Sequence, residues 1–275
     1  MSRPASTGLA FRLLGQGIDY SASPVMMRAA FAALALPHTY DLADVGASEV
    51  AAAVEGLRAD GIGGANVTTP HKRTVAALVD ARSAESERSG SVNTVVRDGG
   101  RLVGHDTDLP ALVEAIERLC PGGARRSLVL GAGGAARSAV QALERGGSEH
   151  VEVVQRGDGS WDRLPELLDA ADLVVNATPI GTARPAGVRT ESDRASTPIP
   201  AGLLRPDLAV LDLVYRPSPT RLVHDARRAG ARAAGGAGIL LGQGRRSLEL
   251  WLGLPAPVEA MRTALRQELG PDADV

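Results

Sequence analysis

The chain has 275 residues, 44% hydrophobic and 23% charged, enough to bury one large core or two of ordinary size. Its 30 basic and 32 acidic residues nearly cancel to a formal charge of −2, and no Lys/Arg run stands out, which argues against a nucleic-acid partner. A single cysteine, Cys120, excludes an internal disulfide and a thiolate metal cluster; a half-buried helix-end residue is expected there, and no metal site.

Phe11-Arg-Leu-Leu-Gly15 is a short apolar run ending in glycine, which predicts a buried strand. Pro24 to Leu36 carries apolar residues at helical spacing, with Ser23 as the expected N-cap and Pro24 at the first helical position. Ile62 to Val67 predicts a second strand and Thr74 to Val79 a short helix. Ser91 to Val96 and Arg101 to Val103 predict a hairpin around Asp98-Gly-Gly100. Beyond Asp108 the rhythm is regular. A helix over Leu109 to Leu119 is broken by Pro121-Gly-Gly123, and strands follow at Ser127 to Leu130, Val151 to Gln155, Asp172 to Ala177 and Ala209 to Val214. Thr182 to Pro200 is the longest expected loop. From Gly238 the pattern is helical again, interrupted by Leu254-Pro-Ala-Pro257. Alternating strands and helices predict an α/β fold, with cores built mainly from Ala, Val and Leu because aromatic residues make up only 3%.

Gly131, Gly133 and Ala136 fit the G-x-G-x-x-G/A fingerprint of dinucleotide binding. The first glycine permits a tight turn, the second lets backbone approach a pyrophosphate, and the small third residue lets the helix pack close. The match follows an apolar strand and opens a helix, the context that separates a dinucleotide site from a purely structural turn. The next strand closes on Val154-Gln-Arg-Gly157, with no acid to hold a ribose 2′-hydroxyl. Arg156 is placed to pair with a 2′-phosphate, so NADP is expected and NAD is the alternative. The plain reading of Arg156 is a solvated loop arginine.

Four polar clusters crowd the first half: Tyr20-Ser-Ala-Ser-Pro24, Gly64-Ala-Asn-Val-Thr-Thr-Pro-His-Lys72, Ser91-Val-Asn-Thr94 and Gly104-His-Asp-Thr-Asp108. Singly each has a packing explanation: Ser23 and Asp108 as helix caps, Asn66 and Asn93 as turn residues. Together they describe a pocket of hydroxyls and amides with one Lys and two Asp, suited to a polyhydroxylated substrate.

In order along nearly the whole chain, these segments resemble the shikimate dehydrogenase family with its quinate/shikimate and aminoshikimate relatives. Ser21-Ala-Ser-Pro24 resembles the family's S-x-S-P, Gly64 to Lys72 its G-x-N-V-T-x-P-x-K, Ser91 to Thr94 its A-V-N-T, and Thr107-Asp108 the end of its N-T-D. Gly131 to Arg137 resembles G-A-G-G-A-x-R, Asn176 to Gly181 N-A-T-P-x-G, and Gly238 to Gln243 the closing G-M-L-x-x-Q, followed by Trp251-Leu-Gly253. The resemblance implies a substrate domain with a mixed sheet (1–107), a Rossmann-like NAD(P) domain (108–237) and helices returning to the first domain (238–275). It implies reversible hydride transfer between the nicotinamide and the ring C–OH/C=O of shikimate and 3-dehydroshikimate. Lys72 would be the acid/base, with Asp108 beside it. Ser21, Ser23, Asn66, Thr68, Asn93, Asp108, Tyr215 and Gln243 would grip the substrate. Gly131, Ala132, Gly133, Gly134, Ala135, Arg156, Thr178, Gly236 and Ile239 would contact the cofactor.

The departures are local. Asp106 stands for Asn of N-T-D, Tyr20 for the common His, His71 at an aromatic position, and Ile239 for Met. Gly157 replaces Thr of the NADP-type N-R-T, and the stretch from Gly157 to Leu173 is shortened, with less helix. Ser23 matches shikimate-preferring members, where quinate-using relatives often carry Thr. Quinate or aminoshikimate-type chemistry, and a non-catalytic sensor on the same scaffold, are the competing readings; retained Lys72 and Asp108 speak against the sensor. Met1 to Ala10 has no apolar stretch long enough for a signal peptide, and no window reaches the roughly 18 apolar residues of a membrane helix. A cytoplasmic monomer or homodimer with a small-molecule substrate and no membrane partner is expected.

Overall fold

A computed structural model describes residues 8–182 and 196–275; most of the loop expected at 182–200 therefore lies outside the described residues. The chain divides into two compact units, the first running to Asp108 and including Leu241–Glu268, the second comprising Leu109–Leu240 and Leu269–Val275.

The first unit is built on a mixed six-stranded sheet among the described residues. Its strands are β1 (Ala10–Gly15), β2 (Thr39–Asp44), β3 (Ile62–Val67), β4 (Ala81–Arg82), β5 (Thr94–Asp98) and β6 (Arg101–His105), in the order β2-β1-β3-β5-β6-β4. β1 runs parallel to both β2 and β3, whereas β5 is antiparallel to β3 and β6. One face buries Leu14, Val54, Leu57, Val67, Val95 and Leu102. On the other, the scarce aromatics gather: Phe11 lies 5.2 Å from Phe31 and 4.7 Å from Trp251, ring centre to ring centre. Trp251 also donates its indole N–H to the Val95 carbonyl at 3.0 Å, which ties the helix Gly236–Leu252 to this sheet. Gly64 is required beneath it. Its φ is +156°, and a Cβ there would run into the Val95 carbonyl and the indole.

Two helices differ at their ends from the sequence expectation. The first helix spans Ser23–Ala33 with Ala22 at its N-cap, and Ser21 Oγ accepts the Ser23 N–H at 3.3 Å; Ser23 lies inside the helix and is not its cap. Its apolar spacing continues to Leu36, but the helix stops because Ala35 takes a left-handed conformation (φ 52°), with Ala35 N–H bonded to Ala32 O and Leu36 N–H to Phe31 O. The short helix expected over Thr74 to Val79 spans Lys72–Ala76, so Lys72 stands at its first position.

The second unit holds a parallel sheet of β7 (Arg126–Leu130), β8 (His150–Val154), β9 (Leu173–Asn176), β10 (Ala209–Asp212) and β11 (Arg232–Ala234), in the order β11-β10-β9-β7-β8. Helices cover both faces: Leu112, Ile116, Ala139 and Leu143 pack on one side, Leu164, Leu168, Leu222 and Ala226 on the other. From β7 the chain steps to β8 on one side and then crosses to β9 on the other. This reversal opens a crevice at the C-terminal ends of the strands, where ligands bind in such sheets. Cys120, expected to be half-buried, is fully buried after the helix Asp108–Leu119, and burial pushes its thiol pKa up. Residues 236–240 and 269–275 stay with the second unit, where Asp274 accepts the Gly235 N–H at 2.6 Å and pairs with Arg227 at 2.9 Å.

Candidate active site

The parallel register of β1 with β3 and the antiparallel register of β3 with β5 bring the first-half clusters to one end of the mixed sheet. Leu13 lies beside Asn66, Asn66 faces Thr94, and Thr94 faces His105. There Lys72 Nζ donates to Asp108 Oδ2 at 2.5 Å, with the two side chains 30% and 21% exposed. The pair is therefore held by its surroundings yet open to a ligand. Burial lowers the Lys72 pKa, but the charge and hydrogen bond of Asp108 and the charge of Asp106 raise it more, so the ammonium is stabilised overall. Asp108 opens its helix, where the dipole favours a negative side chain. Buried Asp106 accepts the Asp108 N–H at 3.0 Å, a bond the family's Asn would also make, so the change keeps the turn and adds charge. His71 is buried and donates its Nε2–H to the Val45 carbonyl at 2.6 Å, anchoring the turn before Lys72.

Behind the pair lies a buried amide and hydroxyl network. Asn66 Oδ1 accepts the Tyr40 hydroxyl at 2.7 Å, while its Nδ2 meets Asn93 O, Thr94 Oγ1 and Ser247 Oγ at 3.1, 3.1 and 2.9 Å. Both N–H groups of Asn66 are thus used within the fold. Asn93 Oδ1 accepts the Thr107 N–H at 2.8 Å and its Nδ2 donates to Thr107 Oγ1 at 2.9 Å. Ser247 donates to the Gln243 carbonyl at 2.9 Å, placing Gln243 beside the same network. Thr68, just past β3, is fixed through its N–H to Leu14 O at 2.8 Å, and Ser21 and Ser23 follow β1 in the chain. The sequence reading missed Tyr40 and Ser247. Tyr40 is an aromatic in an otherwise polar segment, whereas Ser247 carries no signal within its helix.

In the second unit the remaining predicted residues cluster at the C-terminal strand ends. Gly131 has φ +108°, and a Cβ there would lie 3.1 Å from Ala177 O and 3.3 Å from Thr178 Cγ2, so only glycine lets the two turns close together. Ala132 and Gly133 are accessible, and the helix Gly134–Arg145 begins without a side-chain cap, leaving its first-turn N–H groups directed at the crevice, with Gly134 and Ala135 exposed. These residues fit a dinucleotide pyrophosphate. Thr178 donates its hydroxyl to Asn176 Oδ1 at 2.7 Å and shapes its own turn. Asn176 Nδ2 in turn donates to buried Asp212 at 2.8 Å, and Asp212 also accepts the Val214 N–H at 3.1 Å and the Thr220 hydroxyl at 2.6 Å. Asp212, an acid closing an apolar strand, was not singled out from sequence. It fixes the turn carrying half-buried Tyr215, and Gly236 joins that turn through its N–H to Val214 O at 3.1 Å. Ile239 packs partly against the core formed by the helices on one face. Arg156 is exposed just past β8, and the shortened stretch after it holds a 3₁₀ turn, Ser160–Arg163, and a short helix, Leu164–Asp169.

Two family models match the chain, the shikimate dehydrogenase substrate binding domain over residues 13–95 and the shikimate 5'-dehydrogenase C-terminal domain over residues 236–266. A shikimate dehydrogenase (NADP(+)) of Thermococcus kodakarensis is 38% identical over 92% of this chain and 94% of that protein. The chain belongs to the shikimate dehydrogenase family. Solved members of the family share its architecture. Shikimate 5-dehydrogenase from Thermus thermophilus, in complex with NADP(H) and shikimate, is 34% identical with a TM-score of 0.81, covering 95% of this chain and 100% of that one. Quinate dehydrogenase from Corynebacterium glutamicum, in complex with NAD, is 28% identical with a TM-score of 0.80, covering 94% and 99%. The mixed sheet followed by a Rossmann-like parallel sheet is thus the fold of this family. Among the described residues no helix is long and apolar enough to cross a membrane.

Proposed function

We propose that the chain catalyses the reversible, NADP-dependent reduction of 3-dehydroshikimate to shikimate. The observation that carries this is the partly exposed Lys72–Asp108 pair at the end of a polar sheet edge. The bound nicotinamide supplies or accepts hydride at the ring carbon. In reduction, negative charge develops on the ring oxygen, and the Lys72 ammonium stabilises and protonates it. In oxidation, neutral Lys72 takes the hydroxyl proton, and Asp108 holds the amine in line. Ser21, Ser23, Thr68, Asn93 and Gln243 grip the carboxylate and remaining hydroxyls, while Asn66 acts by holding Asn93, Thr94 and Ser247 in place. Gly131, Ala132, Gly133, Gly134 and Ala135 receive the pyrophosphate, Arg156 receives the 2′-phosphate, and Thr178, Gly236 and Ile239 line the nicotinamide end.

The test is an absorbance assay of reduced nicotinamide with shikimate, quinate and an aminoshikimate analogue, each with NADP and NAD. Turnover fastest with shikimate and NADP is expected. Preference for quinate with NAD would replace this substrate assignment, and no turnover with any pair would refute the enzymatic reading.

A further inference from the structure

The loop after β8 lacks the Thr that follows Arg in the family's NADP-type segment, and another device stands in its place. Ser160 closes the loop on itself: its Oγ accepts the Gln155 N–H at 2.9 Å and lies 2.6 Å from Asp158 Oδ1, and its N–H donates to the same carboxylate oxygen at 2.9 Å. Asp158 is therefore engaged within the loop and does not neutralise Arg156. The next residue, Trp161, sits under the guanidinium, 5.2 Å from ring centre to Arg156 Cζ. The same indole packs partly against the core that buries Leu164 and Leu168, so it is a fixed platform. Among the described residues no carboxylate forms an ion pair with Arg156. A guanidinium stacked by one face keeps its N–H edge for a planar or tetrahedral anion.

Arg156, Gly157, Gly159, Trp161 and Asp162 line an open cavity of about 580 Å³, within the size range of cofactor sites. Leu130 of β7 pairs with Val154 of β8, so the strand ends carrying Gly131 and Arg156 are level and adjacent. A ribose lying across them from the pyrophosphate turn meets the stacked arginine.

We propose that Trp161 is a specificity-determining positioning residue, whose indole holds the Arg156 guanidinium edge-on to the 2′-phosphate of NADP. This rests on the cofactor assignment above. The test is calorimetric titration with adenosine 2′,5′-bisphosphate and adenosine 5′-monophosphate, which needs no turnover. Wild type should favour the bisphosphate, and Arg156→Ala should remove most of that preference, about a ten- to hundredfold loss. Trp161→Leu, which keeps apolar packing without the ring, should weaken the bisphosphate about two- to tenfold and leave the monophosphate unchanged. Trp161→Phe should fall between, and in the Arg156→Ala background Trp161→Leu should have no further effect. Equal weakening of both ligands, an undiminished Trp161→Leu effect without Arg156, or no effect of Trp161→Leu would overturn the role of Trp161. Wild type binding both ligands equally would overturn it while leaving a dinucleotide site. Binding of neither would remove the cofactor assignment with it.

Discussion

In the proposed reaction the chemistry turns on how one lysine is kept charged and aimed. Against burial, which lowers it, Asp108 and Asp106 together raise the Lys72 pKa above its ordinary value of 10.5. Shikimate oxidation needs the neutral amine, so its kcat/KM should climb with pH and still be rising at the ordinary lysine value. Asp108→Asn removes the largest stabilising charge and the hydrogen bond; its profile should shift to lower pH while the maximal rate falls. Asp106→Asn should shift the profile in the same direction by less, because Asp106 acts on Lys72 by charge alone and more weakly than Asp108. Rate profiles of the three proteins decide this, and a larger shift from Asp106→Asn would mean that the acid/base partner is misassigned. At this level the Lys72, Asp108 and Asn93 clusters were legible in sequence because reactive side chains crowd short segments. The engagement of Asn66 was not. Its partners Tyr40 and Ser247 lie 26 and 181 residues away, and only folding shows that its donors are used up.

Among the elements, the Asn176–Asp212–Thr220 link joins the turns after β9 and β10. Burial pushes the Asp212 carboxyl up to about 6 despite three hydrogen bonds that lower it. In Asp212→Asn the amide oxygen can still accept from Asn176 and Val214, but the N–H₂ then replaces the acceptor of the Thr220 hydroxyl, so a loss of about 1–3 kcal/mol is expected for the disrupted bond. The pH dependence has a definite sign. The folded protein holds this proton longer than the unfolded chain, so Asp212 contributes less stability as pH rises from the ordinary 3.8 to about 6. The margin of wild type over Asp212→Asn should therefore narrow across that window and stay flat above it. Denaturant unfolding of both proteins at several pH values measures the margin, and one that widened would contradict the burial argument. The strands flanking the glycine loop were legible from apolar runs bounded by glycine. β2 was not, because only Tyr40 of its six residues is buried and no alternation marks it. β11 is too short at three residues. The first helix's ends slipped because Ala22 rather than Ser23 is its N-cap and a left-handed Ala35 follows its C-cap, Leu34.

For the whole molecule, the α/β class follows from the sequence pattern, and the order of a mixed and a parallel sheet from the resemblance to the family. The route of the last residues does not. Trp251 returns the chain to the first unit and Asp274 takes it back to the second, through long-range contacts that leave no periodic trace. A ligand that binds only the folded second unit should raise its apparent stability, by about 2.7 kcal/mol at a hundredfold excess over Kd. NADP is expected to do so more than NAD at equal concentration, which thermal unfolding with each cofactor would show. The proposed reaction stands or falls with Lys72 as the acid/base of shikimate oxidation. The decisive measurement is shikimate-dependent reduction of NADP by wild type and by Lys72→Ala, with circular dichroism confirming that both are folded. Turnover by wild type is expected, with a kcat lower by about 10²–10⁴-fold in the variant. A folded Lys72→Ala that turns over at nearly the wild-type rate would contradict that role.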